Sequence, residues 1–280
     1  MLKTVPAPQL SRLELISFLN ADNLTFRHLD WLSPRDRMDE PSCIALTLSE
    51  ELLALFSCEP ENQQAAWLRF FISRRDGQHA RYFSLLLSDG LEYLRSVGVP
   101  EFYAIAVHDW LEILLTSNGF EVDTQVVTLV RNNLAVPDMP DLPSLTIRSM
   151  TARDLAEVQS IDQEAFSPAW QLNPVSLQKS YLSSSHPTVA LVNQRLVGYQ
   201  TSTSTFTSSH LARLAVAPAM QGKHIGEALV SEMIRDFTLQ GISEITVNTQ
   251  LDNPASLRLY QKLDFLPQGP LFPVYKKWVN

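Results

Sequence analysis

The chain has 280 residues, 45% hydrophobic and 19% charged, a composition that excludes a disordered protein. Its net charge of −8 argues against nucleic-acid binding, and no stretch approaches the roughly 20 apolar residues that span a bilayer. The charge is uneven, with −9 on residues 1–143 and +1 on residues 144–280. The length predicts two domains. The opening MLKTVPAPQLSRLEL has no apolar signal core, and two cysteines, Cys43 and Cys58, fit a reducing compartment, so a cytoplasmic protein is expected. The two thiols either face each other on neighbouring strands or sit reduced in the core.

In chain order, a helical start precedes short apolar runs at 42–48, 51–58 and 65–74, which read as three antiparallel strands. A helix over 82–97, a strand over 98–105 and a helix over 110–120 follow. Residues 132–144, NNLAVPDMPDLPS, carry three prolines without periodicity and read as a semi-extended linker. Beyond it, LTIRSMTARDL (145–155) reads as a strand, an N-cap at Thr151 and a helix. The earlier order then returns, displaced by 143 to 145 positions: strands at 187–192, 194–201 and 208–217, a helix over 225–240, a strand over 241–248, a helix over 255–265 and a final hairpin. The chain therefore reads as α/β, with mixed sheets flanked by helices in two tandem domains, 1–135 and 144–280, joined by the linker 136–143.

Residues 214–226, LAVAPAMQGKHIG, are the richest in chemical content. Leu214, Ala215 and Val216 end a buried strand, Pro218 stops the ladder, and Gln221, Gly222, Lys223, His224, Ile225 and Gly226 form a polar turn that opens a helix. The first amides of a helix lack intrahelical acceptors, and the dipole adds partial positive charge, so this is an anion site. Gly222 and Gly226 keep side chains away from an approaching phosphate. Neither GxxxxGK[ST] nor GxGxxG is present.

The segment resembles the pyrophosphate loop Q/R-x-x-G-x-G/A of the GCN5-related N-acetyltransferases (GNAT), with His224 where a glycine is usual. A residue already in helical geometry needs no positive φ, so His224 is expected to be helical. NPASLRLYQKLDF (253–265) resembles the later motif N-x-x-[SA]-x-x-L-Y-x-K-x-G-F through Asn253, Ser256, Leu259, Tyr260, Lys262 and Phe265, with Asp264 replacing the glycine. The resemblance covers residues 144–280. It implies acyl-CoA N-acyltransferase-like domains and acetyl-CoA as cosubstrate. The implied contacts are the strand end (Leu214, Ala215, Val216), the loop (Gln221 to Gly226), Asn253, Ser256 and Tyr260.

Acyl transfer to an amine requires a deprotonated amine, a stabilised carbonyl oxygen and a protonated leaving thiolate. A splay between the strand ending at Val216 and the strand 245–249 would free amides for the carbonyl, with a β-bulge near Leu214 as the usual device. By the resemblance Tyr260 protonates the thiolate; otherwise it is a buried tyrosine with its hydroxyl bonded elsewhere. The second half also resembles ribosomal-protein alanine N-acetyltransferases. Those carry a glutamate where this chain has Asn248, which cannot act as a base; Glu244 lies at the other end of that strand, facing solvent. His210 stands where arylalkylamine N-acetyltransferases carry their first histidine, with Ala212 in place of the second. The base is then His210, or the amine arrives neutral and water takes the last proton. Phe166 and Trp170 either line an acceptor pocket with Glu164 or cap the core. The hairpin 202–209 is polar, with Phe206 its one aromatic. No spacing suggests a metal.

The first half repeats the fold without the chemistry. Phe83 is expected opposite Gly226, obstructing a phosphate, and Leu115 stands opposite Tyr260; Gly119-Phe120 is kept. One active site per chain is expected, in the second half. The expected function is acetyl transfer from acetyl-CoA to an amine, on a small molecule or a protein N-terminus, by direct attack. The alternative is an inactive CoA-binding scaffold or sensor. Assembly is left open, with a homodimer one form; neither a nucleic-acid nor a membrane partner is expected.

Overall fold

The computed structural model describes residues 1–28 and 30–280. The first half runs β1 (Leu2–Pro6), α1 (Arg12–Asn20), β2 (Leu24–Arg27), α2 (Pro34–Arg37), β3 (Cys43–Leu48), β4 (Glu51–Pro60), β5 (Ala65–Ser73), α3 (His79–Ser96), β6 (Glu101–Ile105), α4 (Asp109–Ser117) and β7 (Glu121–Asn132). The second runs β8 (Leu145–Ser149), α5 (Leu155–Ala165), α6 (Pro174–Ser183), β9 (Thr188–Val192), β10 (Arg195–Ser204), β11 (Ser208–Val216), α7 (Ile225–Leu239), β12 (Glu244–Gln250), α8 (Pro254–Lys262), β13 (Leu266–Pro267) and β14 (Phe272–Trp278). Among the described residues no helix is long and apolar enough to cross a membrane.

Local chemistry explains the repeat. Each half turns its first hairpin on two residues of positive φ, Ser49-Glu50 and Asn193-Gln194, as a two-residue turn matched to strand twist requires. Asp154 accepts from the Thr151 amide at 2.7 Å, closing the capping box that leads into α5. Asn253 caps α8 by accepting from the Ser256 amide at 3.1 Å, with Pro254 preformed for the first turn.

Contacts divide the chain into residues 1–123 with 272–280, and residues 124–271. These units do not coincide with the sequence halves, because each half gives up its last strand. In the first unit β1, β3, β4 and β5 are antiparallel neighbours, β6 runs parallel to β5, and β14 pairs antiparallel with β6 from Val274↔Ile105 to Trp278↔Glu101. In the second, β8 to β11 are antiparallel, β12 runs parallel to β11, and β7 pairs antiparallel with β12 from Glu244↔Asn132 to Gln250↔Val126. Helices cover both faces of each sheet. In the first unit α3 and α4 bury one apolar cluster and α1 another; in the second, α7 and α8 cover one face and α5 and α6 the other.

Cys43 and Cys58 are free and buried, and they enter clusters on opposite faces of their sheet, so they do not face each other. Burial pushes the Cys43 thiol up to about 12, which suppresses its reactivity. Phe83 does not stand at the mouth of α3. It is buried in the core, 5.1 Å from the Phe71 ring and 5.9 Å from Phe56. It fills volume and obstructs nothing at the first helical turn, which begins at His79.

Candidate active site

The site begins where β11 and β12 part. Their parallel ladder runs from Ser208↔Glu244 to Leu211↔Val247, while β11 continues to Val216 and β12 to Gln250. The device is a β-bulge. The β10 register passes from Thr201↔Arg213 to Ser202↔Leu211, leaving Ala212 as the extra residue. The bulge is thus at Ala212, two positions before Leu214. Ala217 donates its amide to Val197 of β10 at 2.8 Å. Amides alternate between the two edges of a strand, so Leu214 and Val216 present theirs to the open side. Gln221 Nε2 donates to the Val216 carbonyl at 3.0 Å, tying the loop to this edge.

All the residues proposed for cofactor contact except Lys223 and Tyr260 line one cleft of about 540 Å³. It runs from Leu214, Ala215 and Val216 past the loop to the start of α7, with Asn253, Ser256 and Leu259 of α8 opposite. Gly222 has φ +74° and open space around its α-carbon. Gly226 has no positive φ, and a Cβ there would make only ordinary contacts, 3.5 Å from Leu259. His224 is not helical as expected. Its φ is +60° and ψ is 11°, the left-handed region that favours glycine. Its Nδ1 lies 2.9 Å from Glu227 Oε2, an interaction that helps hold this turn. Asp264 likewise keeps a positive φ of 64° where the family motif has glycine.

Charges at the cleft are mainly basic. Arg258 and Lys262 join the lining from one face of α8, residues the motif reading had not assigned to it; their spacing of four on a helix was the available signal. Lys262 donates to Glu227 at 2.8 Å. Burial alone would raise the Glu227 carboxyl, but the hydrogen bonds from Lys262 and His224 outweigh it and hold it below its ordinary value.

Tyr260 lies in the core beside the cleft, packed 5.7 Å from the Phe265 ring. Its hydroxyl makes no hydrogen bond to a described residue, and burial pushes its pKa up, so it stays protonated. His210 lies outside the cleft lining, one residue before the last rung of the ladder, with Nδ1 2.8 Å from Thr246 Oγ1. Burial lowers its pKa, leaving a neutral imidazole at neutral pH. Asn248 is exposed and accepts from Thr128 at 2.8 Å; Glu244 is exposed at the far end of β12.

Phe166 lines the cleft, while Glu164 is exposed outside it. What holds Phe166 was not legible in the motifs. Arg213 stacks 3.5 Å over its ring and pairs at 2.7 Å with Asp162, which is fully buried. Asp162 also accepts from the Tyr199 hydroxyl and, at 2.9 Å, from the Leu172 amide, and Arg213 donates to the Trp170 carbonyl at 2.6 Å. This network joins α5, the 166–172 loop, β10 and β11 next to the bulge. The aromatic loop is therefore partly cleft wall and partly anchored scaffold.

A mixed sheet parted at a parallel pair, with a glycine-bearing turn feeding a helix N-terminus beside the gap, defines an N-acyltransferase-like fold. Residues 155–265 match the acetyltransferase (GNAT) family. An uncharacterized N-acetyltransferase of Methanocaldococcus jannaschii is 27% identical over 135 residues, 47% of this chain and 83% of the relative. A GCN5-related N-acetyltransferase from Anabaena variabilis superposes with a TM-score of 0.73 at 11% identity, over 100% of this chain and 73% of its own. A tandem GNAT protein from the clavulanic acid biosynthesis pathway gives 0.60 at 12% identity, over 100% and 99%. These likenesses show that the fold is that of tandem GNAT proteins.

Proposed function

We propose that the chain is an acetyl-CoA-dependent N-acetyltransferase with one active site, in the unit 124–271, and that the other unit is a degenerate domain of the same fold. The observation that carries this is the open edge of β11. Leu214 and Val216 offer unpaired strand amides at one end of a cleft whose other end is the N-terminus of α7. Acetyl-CoA would supply the activated acetyl group. The loop 221–226 and the first amides of α7 suit its diphosphate, with Lys223 and His224 adding positive charge, and Asn253 and Ser256 flank the path of the pantetheine arm.

The chain's own groups then divide the proton work. His210, neutral and half-buried beside the parting of the strands, takes a proton from the ammonium through water. Tyr260, kept protonated and without a hydrogen-bond partner among the described residues, delivers one to the departing thiolate. Direct attack fits, since both cysteines lie in the first unit. The acceptor is a primary amine on a small molecule or a protein N-terminus. Asn248, bonded to Thr128 where a carboxylate base would stand, favours one other reading, a CoA-binding scaffold without turnover.

Calorimetric titration with acetyl-CoA and with free CoA tests the assignment. One saturable site per chain is expected. Two sites would make the first unit functional, and no binding at millimolar CoA would defeat the loop assignment. Thiol release in the presence of spermidine, tyramine or an alanine-leading peptide then separates enzyme from scaffold.

A further inference from the structure

The partners of His210 fix which of its two nitrogens can act. Thr246 stands directly opposite His210 in the parallel register, one rung before the last pair of the ladder. Its Oγ1 makes two contacts, one to His210 Nδ1 at 2.8 Å and one to the Ser209 carbonyl at 3.3 Å. A threonine hydroxyl has a single proton. The carbonyl can only accept, so that proton goes to Ser209, and the hydroxyl lone pair is left to receive a proton from the ring. Both contacts are satisfied only if Nδ1 carries hydrogen. The opposite tautomer would turn the Thr246 proton toward Nδ1 and abandon the Ser209 carbonyl. Nε2, the far nitrogen, has no partner among the described residues.

We propose that Thr246 is a positioning residue that holds His210 in the Nδ1–H tautomer, so that Nε2 is the basic nitrogen turned toward the acceptor amine. The inference rests on the reading of His210 as base. In the step it serves, Nε2 takes one proton from R–NH3+ directly or through water, giving R–NH2 and an imidazolium whose two N–H bonds are both made. The proton then leaves from Nε2 to solvent, while the other proton stays on Nδ1, hydrogen-bonded to Thr246 Oγ1 throughout. The hydroxyl thus orients the ring and never enters the proton balance. Thr246 is also the natural site for such a device. A β-branched residue is favoured in a strand and has few χ1 choices, so its hydroxyl is held at one angle to the ring beside it.

The test is nitrogen-15 NMR of the full chain labelled at histidine, read at a pH where His210 is neutral. The His210 ring is expected to show a protonated Nδ1 and a bare Nε2. Thr246→Val should convert it to a mixture or to the Nε2–H form, and Thr246→Ser should restore the wild-type pattern. With acetyl-CoA and whichever of spermidine, tyramine or an alanine-leading peptide is turned over, kcat should fall about fivefold in Thr246→Val, with the KM for acetyl-CoA unchanged. A wild-type ring protonated at Nε2 overturns the inference, and this readout needs no variant to fold. Loss of turnover in His210→Gln with full turnover in Thr246→Val overturns it alone and leaves the base standing. Full turnover in His210→Gln overturns the base and this inference together.

Discussion

The two units part their parallel strands in the same way and use the gap differently. In the first, β5 and β6 pair only from Ala65↔Glu101 to Trp67↔Tyr103, and a bulge at Arg69 interrupts the register with β4, as Ala212 does in the second. There β2 fills the gap. It pairs with the released edge of β5 from Leu24↔Ser73 to Arg27↔Phe70, and the His28 amide continues the ladder to the Arg69 carbonyl at 2.8 Å. The hydrogen bonds that a pantetheine arm would take are made by the chain itself. In the second unit the segment between α5 and α6 forms no strand, and the edge at Leu214 and Val216 stays open. One order of elements thus yields a closed unit and an open one, and four residues of strand make the difference.

The plug is anchored by buried charge. Asp30, just after β2, accepts from Arg37 at 2.7 Å and Arg69 at 3.1 Å; Arg37 also meets Glu59, and Arg69 meets Glu61. Removing one partner strands a desolvated charge, so Arg37→Met is expected to cost about 3–5 kcal/mol in urea unfolding. A loss under 1 kcal/mol would mean that β2 needs no anchor and that its backbone pairing with β5 alone closes the gap.

The next effect in size falls on the open unit. Tyr260→Phe is expected to lower kcat about a hundredfold with acetyl-CoA affinity kept. Its counterpart Leu115 is buried and has no proton to give. Unchanged turnover would take Tyr260 out of the mechanism and remove one chemical distinction between the units.

Acid should act through His210. Burial lowers its pKa, so the imidazole is neutral near pH 7 and becomes charged, and useless as a base, only below its ordinary value of 6.5. kcat/KM is expected to fall about tenfold per pH unit on that limb. His210→Gln should abolish the limb along with most of the activity; an identical limb in the variant assigns it to another group.

The smallest effect sharpens the loop. His224 holds a left-handed backbone at a cost, and His224→Gly should raise stability by about 0.5–1 kcal/mol, net of the lost Glu227 contact. Thermal unfolding would read this as a rise of about 1–4 °C. A fall would show that the Glu227 contact outweighs the strain.

The sequence determined the order of strands and helices, because apolar period, paired turn residues and caps such as Thr151 and Asn253 act within a few positions. It also set most of the cleft lining, since the loop at 221–226 and the first turns of α8 are each continuous in the chain. Only the tertiary structure decided which strands close which sheet, where the bulge falls, that β2 plugs one gap, and that Asp162, Tyr199 and Arg213 meet beneath Phe166. The backbone amides that make those ladders are alike at nearly every residue, so their pairing leaves little trace in the residue types. The left-handed turn at His224 escaped for a related reason, because φ there is imposed by a helix entry beside a strand end, and a histidine in that place carries no mark of it.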